Sequence, residues 1–199
     1  MSTRERCPGH WRVVALAVGL LAARGGLTDI YVGAWTPIYR GVDYKVGFAA
    51  AGSPCVQKVH AIRVDAAAAG VRFYSTPRCA DWKPDKAETY RQSTREFVVS
   101  SGVQVAVNGD FYSMAGAGPT DLMGLAVSEG QVVSPPAGTD SLLIGRDNRA
   151  RIEVTTASTD LRGVWTAVSG RGRILADGMV QETWPQRHPR TAVGISRNG

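Results

Sequence analysis

The sequence predicts an α+β fold, with strand-rich mixed sheets and one or two short helices in a single domain. Three observations predict it. The chain has 199 residues, the length of one domain with a sizeable core. Its 23 Gly and 10 Pro favour frequent turns over long helices. Its apolar residues fall in short Val, Ile and aromatic runs separated by Gly, Pro and Ala, which is how strands read. A hydrophobic fraction of 44% and a charged fraction of 20% exclude a disordered tail, a collagen-like fibre and a multi-span membrane protein.

The N-terminus is expected to lie outside the fold. Arg4, Arg6 and Arg12 form a basic stretch opposed only by Glu5, and Val13 to Ala23 is then uncharged throughout. That run is shorter than the ~20 residues a spanning helix needs, and small residues precede Arg24, so residues 1–23 read as a secretory signal. Residues 24–39 are expected to be a linker and 40–199 the domain. With the signal go three Arg and one Glu, which leaves +4 of the formal +6. The remaining basic residues are dispersed, whereas nucleic-acid binders cluster theirs, so no nucleic-acid partner is expected, and no membrane association after cleavage. The expected location is extracellular or at the cell envelope. There a lone pair, Cys55 and Cys79, is expected to form a disulfide contributing roughly 3 kcal/mol. The histidines at 10, 60 and 188 are scattered and no Cys or His pair has ligand spacing, so neither metal nor cofactor is expected.

Within the domain, Tyr44–Phe48, Gln57–Val64 and Val71–Ser75 read as strands; residues 58–65 alternate polar and apolar, as a half-buried strand does. Ser93-Thr94-Arg95-Glu96 has the spacing of a capping box, and Gly102 stops the helix that follows, which should turn Phe97 and Val98 toward the core. Val103–Val107 is expected to be a buried strand. Three hairpins follow from turn chemistry, around Glu129-Gly130, Asp147–Arg149 and Asp177-Gly178. Arg190 to Ser196 reads as a last strand. Asn198-Gly199 is a hairpin turn without its second strand, so the domain is expected to be truncated at its C-terminus.

Three stretches place polar groups where strands end. Asn108-Gly109-Asp110-Phe111-Tyr112 sets an amide and a carboxylate beside two rings, the groups that suit a sugar; local sequence alone favours a simple Asx-turn with Phe111 in the core. Arg187-His188-Pro189-Arg190-Thr191 offers an anion grip, or a solvated loop. Ser169-Gly170 opens a Gly-rich segment that lacks the P-loop ending. No catalytic triad is visible. Paired carboxylates could come from Asp110, Asp121 and Glu182, among which spacing does not choose.

These stretches, in this order, resemble the phosphodiester glycosidase family. Asn108 to Tyr112 is similar to its strand ending in Asn-Gly-Asp/Gly-Phe-Phe, and Ser93 to Phe97 to the helix before it. Ser169 to Gly178 is similar to its Ser-Gly-x-x-x-Leu-x-x-Asp-Gly segment, and His188 to Gly194 matches His-Pro-Arg-Thr-Ala-x-Gly without substitution. Past that strand the family continues to a second strand and a Gly-rich segment that this sequence does not contain. The resemblance implies hydrolysis of a sugar-1-phosphodiester, expected of the full-length product. It makes Asn108, Asp110 and Arg190 the expected catalytic residues, and Phe111, Tyr112, Ser169, Gly170, His188 and Thr191 the substrate-binding ones. A phosphodiester-linked sugar or an envelope glycan is the implied partner. A secreted, non-catalytic glycan-binding module is the alternative.

Overall fold

The computed structural model describes residues 13–18, 30–49, 57–113, 118–181 and 188–196. The described residues form two main antiparallel sheets, two small strand pairs and one helix. The expected strand-rich α+β class is the one observed.

The first sheet contains β1 (Val13–Val18), β2 (Ile30–Val32), β3 (Thr36–Tyr39), β4 (Val42–Ala49), β5 (Lys58–Asp65) and, from the far end of the chain, β15 (Ala192–Ile195). Its order is β15-β1-β5-β4-β2, with β3 also on β4. The long β4–β5 pairing sets Asp43 opposite Arg63, which closes as an ion pair at 2.7 Å. β1 falls within the stretch read as a signal, and its backbone pairs with both β5 and β15. β2 and β3 fall within the stretch read as a linker and pair with β4.

The second sheet holds the tight core. Its strands are β8 (Ala126–Ser128), β9 (Gln131–Ser134), β10 (Thr139–Gly145), β11 (Ala150–Thr155) and β12 (Val164–Ser169), in the order β11-β10-β12-β8-β9. Leu125, Val127, Leu143, Val164 and Ala167 pack together here, with Leu161 against them. Leu125, Leu143 and Ala167 are wholly excluded from solvent, each contributing roughly the transfer energy of its buried apolar surface. The turns are those the residues demand. Glu129-Gly130 joins β8 to β9 with both residues at positive φ, and Asp177-Gly178 does the same between β13 (Leu175–Ala176) and β14 (Met179–Val180). Asn148 turns β10 into β11 at φ 61°, and its buried amide donates to the carbonyls of Ala66 and Val71, tying this turn to the chain that leaves β5.

The helix α1 (Thr94–Ser101) begins and ends as expected. The Glu96 N–H donates to Ser93 Oγ, the Glu96 carboxylate accepts the Ser93 N–H at 2.7 Å, and Gly102 closes the helix in the left-handed region. Phe97 stacks on Tyr74 at 5.7 Å, but Phe97 and Val98 stay half-buried rather than entering the core. A small pair, β6 (Thr89–Tyr90) with β7 (Pro119–Thr120), flanks it.

Two expected strands are absent. Val71–Ser75 is irregular because it crosses the second sheet and is held by side chains instead of a ladder. Ser75 Oγ donates to Val127 O, Ser128 Oγ to Ser75 O and Thr166 Oγ1 to Phe73 O. Val103–Val107 is neither a strand nor buried; the chain meets β12 only beyond it, at Gly109 and Asp110, where β12 already has β10 on one edge and β8 on the other. β12 itself has no counterpart among the expected strands. The expected bond between Cys55 and Cys79 is not seen; Cys79 carries a free thiol, and Cys55 lies outside the described residues.

Candidate functional site

The polar stretches meet where β12 ends. Ser169 is its last residue, and the Ser169 N–H donates to Asp110 Oδ1 at 2.6 Å. Two residues back along the incoming chain, Asn108 Oδ1 accepts the Thr191 hydroxyl at 2.5 Å, and Thr191 immediately precedes β15. Residues 108–110, 169 and 191 thus come from three separate parts of the chain. Gly109 passes over Val168 with room for a methyl group, at 3.5 Å, so closeness alone does not require glycine there.

Asp110 is the most perturbed carboxyl of the group. Burial pushes it up from 3.8 to about 6; the Ser169 N–H and its own N–H oppose that, and the nearby Glu88 charge adds to it. Such a group changes protonation near neutral pH, which is what proton transfer needs. Glu88 escaped the sequence reading because it lies in no motif. Its Oε2 accepts the Leu122 N–H at 2.9 Å, and its own N–H donates to Asp121 Oδ1 at 3.2 Å. Asp121 therefore holds backbone, Glu182 lies outside the described residues, and the carboxylates that interact are Asp110 and Glu88.

Phe111 and Tyr112 continue from Asp110 along a short ladder. The Met123 N–H donates to Phe111 O, the Ser113 N–H to Asp121 O, and Tyr112 bridges Leu122. Phe111 keeps 50% of its surface exposed, so the Asx-turn reading with Phe111 in the core does not hold. Arg91, also outside any motif, sets its guanidinium 5.2 Å above the Tyr112 ring, adding a cation beside the site.

Of the remaining expected residues, Ser169 is buried and turned inward, so it serves Asp110 rather than solvent. Gly170 is exposed, but its N–H donates to Asp140 O at 2.8 Å and is not aimed at a ligand. Asp140 also receives Arg173 at 2.6 Å, which anchors the start of the β13–β14 hairpin beside the site. His188 is exposed and Arg190 half-buried, in the segment that delivers Thr191.

A carboxyl that titrates near neutrality, an amide–hydroxyl pair and exposed rings suit a polyhydroxylated substrate and water. The family model for phosphodiester glycosidase matches residues 101–199, the half of the chain that carries Asn108, Asp110, Ser169 and Thr191. No curated protein and no solved structure matches the chain. Through residues 101–199 the chain belongs to the phosphodiester glycosidase family.

Proposed function

We propose that this protein is an exported hydrolase that cleaves a sugar-1-phosphodiester and releases the free sugar. The observation that carries the reading is the Asp110 carboxyl, drawn from solvent and held by the Ser169 N–H beside the Asn108–Thr191 pair. A phosphate monoester leaves readily, so the demand for proton transfer falls on the attacking water. Asp110, ionised, takes the proton as the water oxygen bonds to the anomeric carbon and the carbon–oxygen bond to phosphate breaks. The phosphate departs with that electron pair and a second negative charge. Arg190, next to Thr191, is the group proposed to hold this charge, with His188 at the rim. Asn108 orients a sugar hydroxyl, and Phe111 and Tyr112 cover the ring faces. As a base Asp110 must be ionised, so activity rises with pH through about 6.

The test is incubation with a methyl-phosphoryl sugar, following sugar and phosphomonoester by NMR. Equal release of the two is expected, with kcat/KM lowered about 100-fold or more in Arg190→Ala. Unchanged turnover in that variant refutes the phosphate role. Tight glycan binding without hydrolysis would instead make the chain a glycan-binding module.

A further inference from the structure

The second sheet carries a row of hydroxyls that its core does not require. Thr155 is wholly buried, and Ser141 and Ser169 are nearly so. Ser141 Oγ lies 2.9 Å from Thr155 Oγ1 and 2.9 Å from Ser169 Oγ. The register explains the contact, since Ser141 pairs with Ser169 across β10–β12 and Thr139 with Thr155 across β10–β11. The polarity of the chain follows from its end. Ser169 Oγ is 2.8 Å from the carbonyl oxygen of Leu125, which can only accept, so Ser169 donates its single proton there. It then accepts from Ser141, and Ser141 from Thr155, because these 2.9 Å contacts are shorter than those the same hydroxyls make to the Thr139 carbonyl, 3.4 Å from Ser141 Oγ and 3.3 Å from Thr155 Oγ1.

Gly124 makes room for this row. With φ at +103°, a Cβ there would come within 2.5 Å of Thr139 Oγ1 and 2.6 Å of Ser169 Oγ. The hydroxyls thus anchor a strand end whose backbone N–H donates to Asp110.

We propose that Ser141 and Thr155 are positioning residues: through Ser169 Oγ they fix the end of β12 so that the Ser169 N–H meets the Asp110 carboxylate. The role rests on the reading of Asp110 as the catalytic base, but its consequence can be read without turnover. Fixing the strand end keeps a donor on the ionised carboxylate, and loosening it removes part of that support, so Asp110 should then protonate more readily. Glu88, the charged neighbour that also acts on Asp110, is untouched by these changes.

The experiment is a carbon-13 NMR titration of the Asp110 carboxyl in the full chain, with amide exchange at Ser169 measured alongside. Thr155→Val keeps shape and removes the donor, whereas Thr155→Ser keeps the donor and removes a methyl group. The Asp110 midpoint is expected to rise by about 0.3–0.5 pH unit in Thr155→Val, and further in the double variant with Ser141→Ala. Ser169 exchange should quicken about tenfold relative to the amides of β11. Thr155→Ser should leave both unchanged. The proposal is overturned if folded Thr155→Val titrates as wild type, or if Thr155→Ser shifts Asp110 as far as Thr155→Val does. Should the double variant fail to fold, the two Thr155 variants decide. Absence of sugar release would count against the proposed hydrolysis and leave this result standing.

Discussion

Replacing Asp110 by Asn should stabilise the protein above pH 6 while removing the proposed hydrolysis. In the folded chain burial raises this carboxyl to about 6, from the 3.8 of an unburied group. Between those values the folded state binds a proton that the unfolded state has lost. Stability therefore falls as pH rises across that window, and levels off above it. A shift of about two units has a ceiling of roughly 3 kcal/mol, since each unit is about 1.4 kcal/mol. Asp110 retains some solvent contact, which reduces the effect to about 1–2 kcal/mol. Asn keeps an acceptor for the Ser169 N–H but carries no charge to desolvate. Urea unfolding of wild type and Asp110→Asn at pH 4.5 and 7.5 is the assay. About a third of that effect has already occurred by pH 4.5, so the variant should gain on wild type by about 1 kcal/mol between the two, equivalent to about 2–4 °C in Tm. A difference between the two proteins that stays constant with pH, or that runs the other way, would refute the account of Asp110.

Other substitutions probe the surroundings. Gly124→Ala combines a strained φ with Cβ contacts of 2.5–2.8 Å to Thr139 and Ser169, and should cost about 2–4 kcal/mol in calorimetry; a Tm within 2 °C of wild type would contradict the crowding. Glu88→Gln retains an acceptor for the Leu122 N–H while removing the charge that raises Asp110. It should therefore move the acid limb of the pH–activity profile down by about half a unit or less, and an upward move would show that the Glu88 charge does not act as described. Leu143→Ala opens the sealed core of the second sheet and should lose about 2–5 kcal/mol of unfolding free energy, measured in urea; a loss below about 1 kcal/mol would mean that the site collapses to fill the space.

Local chemistry carried through from sequence to structure. The Ser93–Glu96 box, the Gly102 stop and the turns at Glu129-Gly130 and Asp177-Gly178 depend on residues within a few positions of one another, so their reading needs no knowledge of the rest of the chain. Apolar runs were less informative. Val103–Val107 and Val71–Ser75 have strand composition, but a strand also needs a ladder partner, and neither segment pairs with one; Val71–Ser75 is tied down by side-chain hydrogen bonds instead. Val164–Ser169 does find two neighbours and becomes the middle strand of its sheet, although no turn signal flags it.

The site divides in the same way. Which residue types would serve, Asn108, Asp110 and Thr191 among them, could be read from motif order. That Asp110 is the carboxyl with a displaced proton affinity could not, because desolvation depends on what packs around it. Nor could Glu88, Arg91 or the hydroxyl row from Thr155 to Ser169 be found, since each is joined to the site only through neighbours distant in sequence. By itself the sequence determined the strand-rich class, the turns, the helix and the family. Only the tertiary structure decided which polar groups meet and which of them leave water. Turns and caps are settled by hydrogen bonds within a few residues, whereas burial and convergence are settled by the pairing of strands far apart in the chain.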